Sequence, residues 1–219
     1  IFRSMIRNHL IEGLGIALVV TGQWWWLAGW CLLSMILCGL SYLYLGPTIL
    51  GKTPQGDLPF LRRLINAPWI WEYQAIVAID RWLGFEGMNE ISTGLWLARR
   101  PLASEIPKDI RLVVDLTAES ARVSGLPTQA DYLCLPTLDG YAPATEAFGE
   151  LVRQVSEHPG PVLIHCARGH GRSATVMAGV LLQRGLVRDV GSAYGLMKSK
   201  RKRVHLHRRQ LTLLNSVMK

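Results

Sequence analysis

A strand, a glycine-containing loop and a helix follow one another between Pro161 and Leu182, an order that points to a layered α/β fold. Pro161-Val162-Leu163-Ile164 is a short apolar run with β-branched residues behind the turn residues His158-Pro159-Gly160, and it predicts a buried strand. Ser173 to Leu182 is mostly apolar and proline-free, and it predicts a helix. The loop between them, His165-Cys166-Ala167-Arg168-Gly169-His170-Gly171-Arg172, therefore opens onto a helix N-terminus. The first N–H groups of a helix lack internal partners and its dipole adds partial positive charge, so an anion is favoured there. The same field favours a thiolate at Cys166, the nucleophilic form of cysteine. Arg172 brings a planar fork that matches two phosphate oxygens. The competing readings are a buried structural cysteine at a strand end or a sulfur-carrying loop of the rhodanese kind. Neither needs a proton donor elsewhere in the chain.

Thiolate attack on a phosphoester does need one, because the leaving oxygen must be protonated. Tyr132 to Leu135 reads as a strand and Pro136 to Pro143 as the loop after it, with Asp139 inside that loop. A solvated turn residue is the ordinary fate of an Asp-Gly pair. Its place upstream of the cysteine loop makes Asp139 the candidate acid instead.

The complete pattern of His165-Cys166, five residues, then Arg172-Ser173 resembles the signature of the protein tyrosine phosphatase superfamily. Asp139 preceding Cys166 is similar to the dual-specificity branch and unlike the low-molecular-weight enzymes, whose cysteine loop comes first. Asp115-Leu116-Thr117-Ala118-Glu119 is also similar to a segment of bacterial dual-specificity-like phosphatases attached to membrane segments. The resemblance covers residues 88–219 and implies a central sheet flanked by helices, carrying a phosphoric monoester hydrolase. On that pattern Cys166 attacks phosphorus to give a phosphocysteine, while Asp139 protonates the leaving oxygen and then activates water. Ser173 hydrogen-bonds the departing thiolate, and His165 supports the loop. Arg172 and the backbone of Ala167, Arg168, Gly169, His170 and Gly171 hold the phosphate. No cofactor or metal is required, and His205 and His207 have no Cys or acidic partner at ligand spacing. A catalytically silent, membrane-bound phosphate-binding scaffold is the alternative class, and it needs a defect that these positions do not show.

Arg168 and His170 add positive charge to the expected cradle, which suits a multiply charged headgroup. A phosphoinositide phosphatase of the superfamily carries Lys at the position of His170, and shares Gly171. A mitochondrial phosphatidylglycerophosphate phosphatase is similar around Pro136, Thr137 and Asp139. These likenesses set a phospholipid headgroup slightly ahead of a phosphoprotein modified on Tyr, Ser or Thr.

The rest of the chain bears on where such a site works. From Leu10 to Leu50 the only charged residue is Glu12, and the stretch carries Trp24-Trp25-Trp26, Trp30, Tyr42 and Tyr44. Spanning a bilayer takes about 20 apolar residues, so residues 1–50 form either one span or a two-helix hairpin turning near Thr21-Gly22-Gln23. The apolar run is too long for the core of a signal peptide. Arg3 and Arg7 on one side, with Lys52, Arg62 and Arg63 on the other, favour the hairpin, which keeps both clusters and the catalytic domain in the cytoplasm at the inner membrane. Glu12 counts against the first span, for which a short interfacial helix is the alternative. Ile1 in place of an initiator Met leads us to expect residues upstream.

Residues 51–87 read as a juxtamembrane connector, and Ile70 to Leu83 as an amphipathic helix lying on lipid or packing against the catalytic domain. Further strands are expected over Ile91–Leu97 and Ile110–Val114, and helices over Ala144–Ser156, Val190–Lys198 and Gln210–Met218. The excess of 24 Lys and Arg over 16 Asp and Glu is concentrated in Lys198, Lys200, Arg201, Lys202, Arg203, Arg208 and Arg209. Such a run is a solvated face or, beside a membrane, a contact for anionic headgroups, and no nucleic-acid partner is expected. The four cysteines do not form a disulfide framework. Cys134 is either a core thiol or a resolving partner for Cys166 under oxidation.

Overall fold

The computed structural model describes residues 24–217. Five strands form one sheet in the order β1-β2-β5-β3-β4: β1 (Met88–Ser92), β2 (Leu95–Ala98), β3 (Leu112–Thr117), β4 (Asp131–Thr137) and β5 (Val162–His165). β1 and β2 are an antiparallel hairpin, whereas β2, β5, β3 and β4 run parallel. The single strand expected over Ile91–Leu97 is thus two, because Thr93-Gly94 turns the chain with Gly94 at φ +72°, where glycine carries no steric penalty. β3 and β5 are buried at every position, as parallel strands covered on both faces are.

Helices α4 (Thr145–Glu157), α5 (Arg172–Gln183), α6 (Val190–Lys200) and α7 (Arg208–Val217) follow in chain order, and α5 packs against each of the other three. All of α5 from Arg172 to Leu181 is buried, so the helix that follows the cysteine loop is the central helix of the domain. Its Val176, Met177, Val180 and Leu181 join Leu97, Val114, Ile164, Phe148 and Leu214 in the main core. A rigid floor of this kind fixes the start of α5, and with it the loop above.

The N-terminal elements are α1 (Trp25–Leu40), continued by a π turn (Ser41–Leu45) and a 3-10 turn (Gly46–Ile49), then α2 (Phe60–Ile65) and α3 (Ala67–Trp82). Trp25–Ile49 is long and apolar enough to cross a membrane, with mean hydropathy 1.7. The expected first span and the turn at Thr21-Gly22-Gln23 lie outside the described residues. The end of this apolar stretch packs beside the sheet: Cys38, Tyr42, Ile49 and Leu50 form a second core with Trp69 and Ile70 of α3 and with Ala118 and Leu138. Lys52 reaches further in and is fully buried against Asp115 of β3, at 2.7 Å.

Candidate active site

β5 ends at His165 and α5 begins at Arg172, so the six positions from Cys166 to Gly171 form a closed loop between a strand end and a helix start. Gly169 at its middle takes φ +72°, and a Cβ there would lie 2.5 Å from the Ala98 carbonyl. Only glycine satisfies both conditions. The Gly169 N–H points to Cys166 Sγ at 3.2 Å, and Ser173 Oγ lies 3.2 Å from the same sulfur. No side chain caps the start of α5, which leaves its first N–H groups to an anion.

Arg172 is fully buried, and two carboxylates and a carbonyl surround its guanidinium. Both its terminal nitrogens donate to Glu119, each at 2.8 Å, and Nη1 donates to the Thr137 carbonyl at 2.9 Å. Its Nε lies 3.3 Å from Asp139 Oδ1. Burial opposes the charge on Arg172, but Glu119 and Asp139 outweigh it and hold the guanidinium firmly protonated. Asp139, with 40% of its side chain exposed, can exchange protons with solvent and substrate. The structure therefore brings the candidate nucleophile, acid, hydroxyl and phosphate-binding arginine to one place. Glu119 was not singled out from the sequence as a site residue. Its signal was position, because it follows the C-terminal end of a parallel strand, where α/β folds collect ligands.

His165 is buried with both ring nitrogens unbonded, 3.9 Å from Asp115. Burial lowers its pKa against the pull of Asp115. Asp115 accepts from Lys52 Nζ, Tyr132 Oη (2.8 Å) and Thr117. Burial raises its pKa, but His165 and Lys52, with the hydrogen bonds of Lys52 and Thr117, bring it down to about 2. Cys134 pairs in register with Asp115, and Asp115 with His165, so the alternation of strand side chains places these three on one face. Leu133 and Leu135 face the other way, onto the core that contains Cys166. Burial pushes the Cys134 thiol up to about 11, which makes it a core thiol and argues against a resolving role.

Two expectations about charge in the cradle are corrected. Arg168 does not point at the phosphate site: its Nε and Nη2 donate to Asp80 of α3 at 2.6 and 3.1 Å. The Asp80 carboxylate is buried beside the loop and pairs with Arg168, so the pair cancels both charges. His170 is shifted down to about 4 by burial and by Arg201 and Arg168 nearby, so it is neutral at pH 7. The basic run is likewise not one solvated face. Arg201 is fully buried and donates to the carbonyls of Arg168, Gly169 and Glu86 and to Asn89, binding the cysteine loop to β1. Arg203 stacks on Phe85 and Arg209 on Tyr141, while Lys200 and Lys202 are exposed. Gln210, left outside the site by the sequence, is buried and donates to the Tyr141 carbonyl at 3.0 Å, with its amide beside Gly171. It joins the acid loop to the cysteine loop.

Residues 100–186 match the family model described as Tc-R-P, a DSP-PTPase phosphatase of polymorphic toxin systems. The chain thus carries a phosphatase domain of the dual-specificity, protein tyrosine phosphatase type, a phosphoric monoester hydrolase. Among solved structures, the active form of Tk-PTP is 26% identical with a TM-score of 0.51, over 60% of this chain and 96% of that one. PTPMT1 in complex with PI(5)P has the same fold at 19% identity and a TM-score of 0.54, over 61% of this chain and 95% of that one. A human tyrosine phosphatase-like serine/threonine/tyrosine-interacting protein shares the fold at 19% identity and a TM-score of 0.50, over 59% and 94%. No curated protein matches the chain.

Proposed function

We propose that this chain is a membrane-anchored phosphatase that cleaves phosphomonoesters through a phosphocysteine, and that its substrate is a phospholipid headgroup. The observation that carries the chemistry is the convergence of Arg172 on Asp139 at 3.3 Å above a cysteine whose sulfur already accepts a loop N–H. The phosphate sits over the loop, its oxygens taking the free N–H groups at the start of α5 and the Arg172 fork. Cys166 sulfur attacks phosphorus in line, an S–P bond forms, and the P–O bond to the leaving group breaks as Asp139 delivers its proton to that oxygen. Asp139, now a carboxylate, takes a proton from water as the water oxygen attacks phosphorus. The S–P bond breaks, phosphate leaves, and the Ser173 hydroxyl stabilises the returning thiolate at 3.2 Å. Arg172 is preorganised by Glu119 throughout, so little reorganisation is needed as charge develops.

The membrane reading rests on the Trp25–Ile49 helix and on its end packing directly beside the acid loop, where the Tyr141 hydroxyl donates to the Tyr42 carbonyl at 2.6 Å. Such an anchor holds the site at the bilayer surface, with the catalytic domain on the cytoplasmic side, and favours a headgroup over a soluble phosphoprotein. PTPMT1, of the same fold, was solved in complex with PI(5)P, and that supports a lipid headgroup here. We divide the chain at about residues 50 and 88, as anchor, connector and catalytic domain.

The test is vanadate-sensitive hydrolysis of an aryl phosphate by the full chain in detergent. Cys166→Ser should abolish turnover, and Asp139→Asn should lower kcat by about 10²- to 10⁴-fold. Absence of turnover in the parent overturns the reading. Phosphatidylglycerophosphate and phosphoinositides in micelles, set against phosphotyrosine peptides, decide the substrate: a kcat/KM higher for the peptides overturns the lipid assignment.

A further inference from the structure

Helix α3 has two faces that serve different surroundings. Trp71, Ala75, Ala78, Ile79 and Trp82 recur at helical spacing and are exposed. The exposures of Trp71, Ile79 and Trp82 are 55%, 54% and 83%. Of the charged residues of α3, Glu72 borders the stripe, whereas Asp80 turns onto Arg168 of the cysteine loop and Arg81 onto the Arg100 carbonyl. A stripe of this kind left in water forgoes about 25 cal/mol for every Å² of apolar surface.

Its position identifies what covers it. Trp71 packs edge-on against Trp30 of α1, with ring centroids 5.5 Å apart, so the stripe begins at the anchor helix, which itself exposes Leu32, Leu33 and Ile36. Residues 69–73 of α3 meet α1 at Trp30 and Ser34 and the π turn after it at Tyr42. An anchor that enters the bilayer therefore brings Trp71, and the stripe it heads, to the lipid surface beside Trp30. Tryptophans at both ends of the stripe suit the headgroup boundary.

We infer that α3 is an interfacial helix whose Trp71–Trp82 stripe is embedded in the surface of a lipid bilayer, while Asp80 on its back grips the cysteine loop. This rests on the membrane-anchored reading and deepens it. One leaflet covers the stripe and the adjoining face of α1 together. The cysteine loop then lies about one helix diameter, roughly 10 Å, from the headgroups, so a phosphorylated lipid reaches it laterally without leaving the membrane.

Photo-crosslinking from a benzophenone amino acid at Ala78 tests this, with the full chain in vesicles of phosphatidylethanolamine and phosphatidylglycerol. Ala75 serves as a second position in case one variant fails to fold, and the exposed Glu157 on α4 as the control. The expected result is a protein–lipid adduct from Ala78 or Ala75 and none from Glu157. A covalent dimer, which assigns the stripe to a second copy, or no adduct at all from a chain that floats with the vesicles, overturns the inference. A chain that does not float overturns the anchor itself, and absent aryl phosphate hydrolysis overturns the phosphatase reading while leaving the adduct pattern to stand.

Discussion

Two fully buried arginines hold the cysteine loop, one at its mouth and one beneath it, and they are neutralised in opposite ways. Arg172 at the mouth faces carboxylates, with Glu119 gripping both terminal nitrogens and Asp139 beside Nε. Arg201 beneath faces three carbonyls and an amide oxygen. Burial dominates at both, but carboxylates reverse its effect on Arg172, whereas burial leaves the pKa of Arg201 lowered. The difference follows from their tasks. A group that binds a dianion must keep its full charge and a fixed orientation, which a paired carboxylate behind it provides. A group that staples backbone needs only many donors in one plane, and arginine has five.

Exchanging the charges or donors should separate the two roles. Arg172→Lys keeps the charge and loses the fork, and we expect kcat for an aryl phosphate to fall about 10²- to 10³-fold, with about 1–3 kcal/mol lost from the unfolding free energy as Glu119 and the Thr137 carbonyl give up donors. Arg201→Met strips four buried acceptors of their donors. Each unsatisfied group costs about 1–3 kcal/mol, and allowing for relaxation we expect about 3 kcal/mol lost from the unfolding free energy in urea. Turnover of the folded fraction should drop by less than about tenfold. If Arg201→Met instead cost as much in kcat as Arg172→Lys at unchanged stability, the division of labour would be wrong.

The strand, loop and helix around Cys166, and the loop carrying Asp139, were legible because their chemistry is local: periodicity and turn residues fix those elements within a few positions. What each side chain pairs with was not. Arg168 lies in the loop as a cation, and nothing near it in sequence reveals that Asp80, 88 residues earlier, takes it out of the cradle. Lys52 was read as a flank of the membrane segment, although it ends beneath His165 against Asp115. A partial signal did exist there, since a carboxylate inside the apolar run Leu112–Leu116 requires a buried partner. Thr93-Gly94 likewise carried the signal of a two-residue turn that divides β1 from β2.

The contact between the apolar N-terminal helix and the loop carrying Asp139 should have a smaller, chemically selective effect. Tyr141→Phe removes one hydrogen bond to the Tyr42 carbonyl, worth about 1 kcal/mol. The loop carrying Asp139 then samples positions from which it cannot reach the leaving oxygen. Alkyl phosphates, whose leaving groups need that proton, should slow about fivefold. A nitrophenyl ester, which leaves well as an anion, should slow much less. Equal slowing of both substrates would show that Tyr141 supports the fold at large and not the acid.

The same underside arginine makes a pH prediction through His170. Burial, Arg201 and Arg168 lower its pKa from 6.5 to about 4, so between those values the unfolded chain binds a proton that the folded one refuses. Its contribution to stability is therefore complete above pH 6.5 and is lost as pH falls through about 4. His165, also lowered by burial, acts with the same sign. His170→Gln should reduce the acid-side slope of unfolding free energy against pH by up to about one proton, measured by urea titrations across that window. In an Arg201→Met background one of the charges that opposes protonation of His170 is gone. His170→Gln should then remove less of the slope, and equal losses in both backgrounds would mean that burial alone sets this histidine and that the arginine beneath the loop acts on backbone only.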